Sequence, residues 1–144
     1  MIVAVVGTVI VLLALAVVVA VARDRGPGPG DVAVAYELAW DRLDFESIFT
    51  LSGAELRDGL DRRAFVAAKR TAYEQQPALG GLVDRVGIDQ VATVGDAAAV
   101  ITTAELNDGN IAHNRIELAR RNGRWQVIAY RLESSAEDVP RADS

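Results

Sequence analysis

Few side chains in this sequence could do chemistry. Tyr36, Tyr73, Glu105, His113, Arg115 and Tyr130 are the candidates for acid–base work in its folded part. They form no nucleophile–base pair, no glycine-rich phosphate loop and no metal-ligand spacing. The 144 residues include no cysteine, which excludes a disulfide scaffold, a thiol nucleophile, cysteine-ligated zinc and iron–sulfur clusters. The one histidine, His113, is too few for a histidine-based metal centre. No metal and no cofactor is therefore expected. The net charge of −5 argues against a nucleic-acid partner, which would require a basic footprint.

The elements that must position these groups begin after a long apolar run. Met1–Ala22 carries no charged residue. As a helix it would span roughly 33 Å, against a bilayer hydrocarbon core of about 30 Å. A retained single-pass transmembrane helix is expected, with a cleaved signal peptide ending at Ala20-Val21-Ala22 as its rival. Arg23 and Arg25 follow the run and no basic residue precedes it, so the soluble domain is expected on the cytoplasmic side of a bacterial inner membrane. Residues 23–31, containing Gly26-Pro27-Gly28-Pro29-Gly30, read as a Gly/Pro linker, with Asp31 capping a helix from Val32. The folded domain is placed at 32–133 and a polar tail at 134–144.

Within the domain, Val32, Tyr36, Ala39 and Leu43 form a helical stripe with Trp40 beside it, and Glu37, Asp41, Arg42 and Asp44 take the polar side. Ser52-Gly53-Ala54-Glu55 reads as a capping box opening a short helix. Asp61 caps a third helix with Phe65, Ala68 and Ala72 inward. From Leu82 the pattern becomes extended: about Leu82–Val94, Ala97–Leu106, Ile111–Arg120 and Trp125–Glu133, separated by Gly95-Asp96, Asp108-Gly109 and Asn122-Gly123. These are hairpin signals, and they predict a four-stranded antiparallel meander with a bulge near Asp89-Gln90. The fold class is α+β: three helices packed on a curved four-stranded antiparallel sheet, preceded by the transmembrane helix.

If the last two turns are both two-residue turns, the register follows. Thr102 then opposes Arg115, Ala104 opposes His113, and Arg115 opposes Tyr130. His113, Arg115, Glu117, Ile128, Tyr130 and Leu132 share one face, joined by Val100. Asn114, Ile116, Leu118, Val127 and Ala129, with Trp125, make the better core face, and Glu105 has core-face parity. The first set is thus expected to face outward, and its mixture of apolar, aromatic and Arg side chains suggests a partner-binding surface at Arg115, Ile128, Tyr130 and Leu132. Arg62, Arg63, Lys69 and Arg70 form a local basic patch suited to anionic lipid.

The order of elements resembles the nuclear-transport-factor-2-like, or cystatin-like, cone. The opening helix VAVAYELAWDRLDF and the closing hairpin strand NGRWQVIAYRLE carry the resemblance. With the apolar N-terminus, the chain is similar to small membrane-attached actinobacterial proteins. The resemblance implies a scaffold that hosts isomerases, dehydratases, assembly modules and binding domains, with carboxylate, Tyr or His groups projecting between helix and sheet. The expected function is a non-enzymatic, membrane-anchored accessory or scaffold subunit. It would dock on an integral membrane protein complex, the resemblance including respiratory supercomplexes. The alternative is a cone-pocket protein that binds or isomerises a small apolar ligand. A deep cavity lined by Tyr36, Tyr73 and Glu105 would favour the alternative.

Overall fold

The structure is a computed structural model that describes residues 26–133. The expected membrane helix at Met1–Ala22 and the polar tail at 134–144 lie outside the described residues. Among those described, no helix is long and apolar enough to cross a membrane.

Helix α1 spans Pro29–Asp41 and so begins inside the expected linker. Proline suits a first helical turn, because that turn needs no N–H from it and its φ is already helical. Gly28 is the N-cap, and Asp31 is the third helical residue rather than the cap. Its Oδ2 reaches back to accept the Gly28 N–H at 3.3 Å. The chain then turns at Leu43, and α2 follows at Phe45–Leu51, capped by Asp44 accepting the Ser47 N–H at 3.1 Å.

The capping box expected at Ser52 does not form. Ser52 is fully buried and its hydroxyl donates back to the Ile48 carbonyl at 2.6 Å, leaving Gly53 to start a single 3-10 turn at Ala54–Leu56. Helix α3, Arg62–Tyr73, is capped by Asp61 as expected, its carboxylate accepting the Ala64 N–H at 2.8 Å. Its inward side differs from the expected one. Phe65 and Val66 are buried, Lys69 and Tyr73 half-buried, and Ala68 and Ala72 exposed. The stem of Lys69 can cover Phe65 while its ammonium, 5.3 Å from the ring centre, remains near water.

After a 3-10 turn at Pro77–Leu79 come β1 (Val83–Val94), β2 (Ala97–Leu106), β3 (Ile111–Arg121) and β4 (Arg124–Leu132). They form an antiparallel meander in the order β1-β2-β3-β4, as expected. The bulge expected near Asp89-Gln90 is present: Ile88 pairs with Thr102 and Gln90 with Ile101, so Asp89 has no opposite residue. The helices lie on the concave face of the sheet, where Val100, Ile116, Leu118 and Val127 pack against Ala33, Tyr36, Ile48 and Phe65.

Two details shift the expected register, and both decide where functional groups point. The Asp108-Gly109 turn has three loop residues rather than two. The Leu106 N–H bonds to Asn110 O at 2.9 Å, the Gly109 N–H returns to Leu106 O, and Gly109 has φ +85°. Such a turn with a left-handed glycine is the usual three-residue hairpin, and it changes the pairing by one position. His113 therefore opposes Thr103, and Arg115 opposes Ile101. Val100 turns to the core, where it is wholly buried, and Glu105 turns to the convex face.

The Asn122-Gly123 turn does have two residues. Both have positive φ, +51° and +75°, and Arg121 pairs with Arg124. At the fifth residue of β4, however, the ladder slips and Ile128 is an extra residue: Leu118 pairs with Val127, then Glu117 with Ala129 and Ile116 with Tyr130. Beyond this bulge every side chain of β4 is on the face opposite to the expected one.

Candidate functional site

The bulge at Ile128 brings Tyr130 onto the concave face, against helix α1. Its ring centre is 5.9 Å from that of Tyr36. Tyr36 stands 6.5 Å from Trp40, and Trp40 stands 5.6 Å from Tyr73 at the end of α3. An aromatic wall thus runs from β4 across α1 to α3. It borders a cavity of about 320 Å³ whose other walls include Glu37, Asp41, Ala104 and Asn114, with Leu43, Leu79 and Leu82 among its apolar lining. That volume is at the lower end of the range for small-molecule sites.

Glu37 is the unusual member of this wall. It follows Ala33 by four residues and precedes Trp40 by three, so the inward side of α1 includes it. It is only 6% exposed. Its Oε1 accepts the Thr102 hydroxyl at 2.6 Å, and Oε2 has no partner. Burial pushes the carboxyl above the ordinary glutamate range, opposed by the hydrogen bond from Thr102 and by the nearby Asn114 amide. Tyr130, 44% exposed at the rim of the cavity, is pushed up to about 12, chiefly by its partial burial and then by the neighbouring Glu37 and Tyr36, and it stays a neutral hydroxyl at physiological pH. Tyr36 is raised as well, again mainly by burial. Asp41, at the end of α1, accepts the N–H groups of Leu82 and Val83 at 2.8 and 3.0 Å, which ties the start of β1 to the edge of the cavity.

The sequence-predicted groups divide between the two faces. Tyr36, Tyr73 and Tyr130 meet in and beside the cavity. Glu105, His113 and Arg115 do not reach it: they lie on the convex face, where Glu105 pairs with Arg85 at 2.6 Å and Arg115 lies 3.5 Å from Glu117. The expected outward surface of Arg115, Ile128, Tyr130 and Leu132 is thereby split. Arg115 is on the convex face, and Ile128 lines a surface groove there with Arg115 and Glu117. Ile128 is the half-buried bulge residue, and Tyr130 and Leu132 follow it on the concave side, opposite Ile116 and Asn114. Ala129, expected in the core, pairs with Glu117 on the convex side.

In the α3 patch, Arg62 bonds Glu46 at 3.1 Å and Lys69 bonds Asp58 at 3.3 Å, while Arg63 and Arg70 are exposed. Sequence reasoning missed Glu37 by assigning it to the polar side of α1. Its spacing from Ala33 and Trp40 was the signal that could have found it. Among the described residues no cluster of His, Cys, Asp and Glu could hold a metal ion.

No family model matches the sequence, and no curated protein does. Solved structures match its shape. A SEC-C motif-containing protein of Rhodopseudomonas palustris superposes with a TM-score of 0.52 at 19% identity, over 74% of this chain and 79% of that one. An NTF2-like protein of Campylobacter jejuni gives 0.50 at 17% identity, over 70% of this chain and 97% of that one. The fold is the NTF2-like cone. Another NTF2-like protein, from Silicibacter pomeroyi and of unknown function, gives 0.48 at 18% identity over 71% and 90% of the two chains. At these identities the likeness establishes the cone and leaves its chemistry to the side chains of this chain. In this NTF2-like cone the helices and sheet hold a buried carboxylate at the side of an aromatic-walled cavity.

Proposed function

We propose that the domain is a cone-pocket protein that binds a small, largely apolar molecule, with Glu37 as its polar anchor. The observation that carries this reading is the state of Glu37, buried in the cavity wall with one oxygen unpartnered. An unpaired buried polar atom costs about 1–3 kcal/mol, a cost that a ligand able to pair with it removes. Thr102 fixes the other oxygen, and Tyr130 and Asn114 add hydroxyl and amide groups that could orient a bound molecule. A carboxyl raised by burial also suits proton exchange with a ligand, so an isomerase-type proton transfer at Glu37 is the enzymatic form of the same reading.

The accessory-subunit reading has weaker support, since its four anchors do not share one face, although Tyr130 and Leu132 both remain exposed. Attachment to a bilayer is a separate matter, supported by the uncharged run Met1–Ala22 and by the exposed Arg63 and Arg70. Retention of the full chain in the membrane fraction after a carbonate wash would agree with a tether, and release into the soluble fraction would remove it.

The pocket is tested by amide and indole NMR of the full chain in detergent, titrated with tert-butanol and with phenol. Saturable shifts at Glu37, Trp40, Tyr73 and Tyr130 are expected. Shifts absent at all four positions, up to the solubility of both probes, would refute the reading.

A further inference from the structure

Cations and aromatic rings are paired elsewhere in this domain in a way that leaves the cavity unusual. Arg57 and Arg62 lie over Phe49, at 4.2 and 4.9 Å from its centre. Lys69 lies over Phe65, and Arg120 over Trp125, both at 5.3 Å. Among the described residues, the aromatic side chains that line the cavity, Trp40, Tyr73 and Tyr130, have no such cation. No Lys, Arg or His lines it either, and its two charged side chains, Glu37 and Asp41, are both acidic. Tyrosine and tryptophan faces carry negative electrostatic potential, and a cation placed on them away from water is attracted more strongly than at an exposed site.

We propose that the ligand of this cavity is a small organic cation, a protonated or quaternary amine, held on the faces of Trp40, Tyr73 and Tyr130 and neutralised by Glu37. The inference rests on the pocket reading above and narrows it. The three rings come from α1, α3 and β4, so they border the site from three directions. A cation also resolves the state of Glu37. Burial penalises its charged form while it is alone, and an ammonium group in the cavity restores that form. The titratable groups around Glu37 are Tyr36 and Asp41 on its own helix, Tyr73 from α3 and Tyr130 from β4, and none of them supplies a positive charge. The convex face offers nothing comparable, because its acidic groups Glu105 and Glu117 already pair with Arg85 and Arg131 at 2.6 Å.

The test uses the full chain in detergent and two probes of nearly equal shape: tetramethylammonium, permanently charged, and tert-butanol, neutral. Affinity is read from the Trp40 indole resonance, with sodium chloride at matched ionic strength as control. Tetramethylammonium is expected to bind at least about tenfold more tightly than tert-butanol, with an affinity that rises with pH as Glu37 loses its proton. In Glu37→Gln, which keeps the shape and removes the charge, the preference should fall to about twofold or less. Trp40→Leu should weaken the cation more than the alcohol. Equal or tighter binding of tert-butanol would overturn the cation assignment while leaving the pocket reading intact. An undiminished preference in Glu37→Gln would overturn it too. Binding of neither probe would refute both readings.

Discussion

The two faces of the sheet handle charge in opposite ways. On the convex face the charged groups are matched in the open. Arg85 meets Glu105, and Glu117 receives both Arg131 and Arg115. His113 lies 3.0 Å from the Thr103 hydroxyl and 3.7 Å from Asp89. Exposed pairs of this kind typically contribute between zero and about 1 kcal/mol each. Under the concave face helix α1 brings a buried carboxylate, that of Glu37, with a single neutral hydroxyl partner in Thr102. The difference teaches where to look for function. A satisfied surface network explains itself as solvation, whereas a buried group left half-satisfied disfavours folding unless it serves something else.

The sharpest way to break this contrast is to cut neighbouring residues of β3 that point to opposite faces. Ile116→Ala removes a wholly buried side chain and is expected to cost about 3 kcal/mol in denaturant unfolding. Arg115→Ala, one residue away on the convex face, is expected to stay within about 0.5 kcal/mol. Comparable losses from both would mean that the convex face is covered in the native protein. Next in size is Thr102→Val, which deprives the Glu37 carboxyl of its hydroxyl partner and should lower stability by about 1–3 kcal/mol. A neutral result would show that water already substitutes for Thr102.

The Glu37→Gln variant reads the pH dependence directly. The carboxyl of Glu37 is raised in the folded state, so the native protein holds a proton there that the unfolded chain has already released. Its contribution is therefore full below the ordinary glutamate value and is lost as pH rises through the folded value. Wild type and variant should be close in stability in acid, and the variant should gain, by about 1 kcal/mol, as pH rises through that window. Parallel stability curves would contradict the burial of an ionisable group at this position. The smallest effect is expected on the convex face, where Glu117→Ala should change stability by less than about 1 kcal/mol and should matter less still in high salt.

Much of the architecture was legible in the residues. Alternation and the turn signals placed all four strands within about two residues, because one buried face and one wet face leave a period of two in the sequence. Asp61 marked its helix start, and the mismatch of Val86 and Ile88 with Val91 revealed the first bulge. The candidate site was legible only in part. Three tyrosines were recognised as possible pocket groups, but the bulge at Ile128 leaves no such mark. Val127 and Ile128 are both apolar, so unbroken alternation reads equally well through them. The turn at Asp108-Gly109 was misjudged because its glycine fits a two-residue or a three-residue loop. Glu37 was hidden by its own polarity, since a carboxylate on an amphipathic helix is ordinarily assigned to water. The start of α1 was obscured by Gly26-Pro27-Gly28-Pro29-Gly30, where a proline that ends most helices begins this one.

The extra residue in β4 has a consequence for how this protein can change over generations. Along most of a strand, substitutions alter one side chain and leave the rest in place. At Ile128 a deletion of a single codon would remove the bulge and keep the faces, because Ala129 would still oppose Glu117 and Tyr130 would still oppose Ile116. Absorbing the extra residue into a regular ladder, with Ile128 opposite Glu117, would instead turn over everything that follows. Tyr130 and Leu132 would pass to the convex side, and Ala129 and Arg131 would move inward, placing a guanidinium group where a phenol now stands. A lineage could thus lose its binding site and gain an aromatic outer surface without any change of length, with the hairpin at Asn122-Gly123 and the helices unaltered. Substitutions that decide between bulge and regular ladder at this position, more than any in the cavity wall, would separate descendants that keep a pocket from those that present a surface.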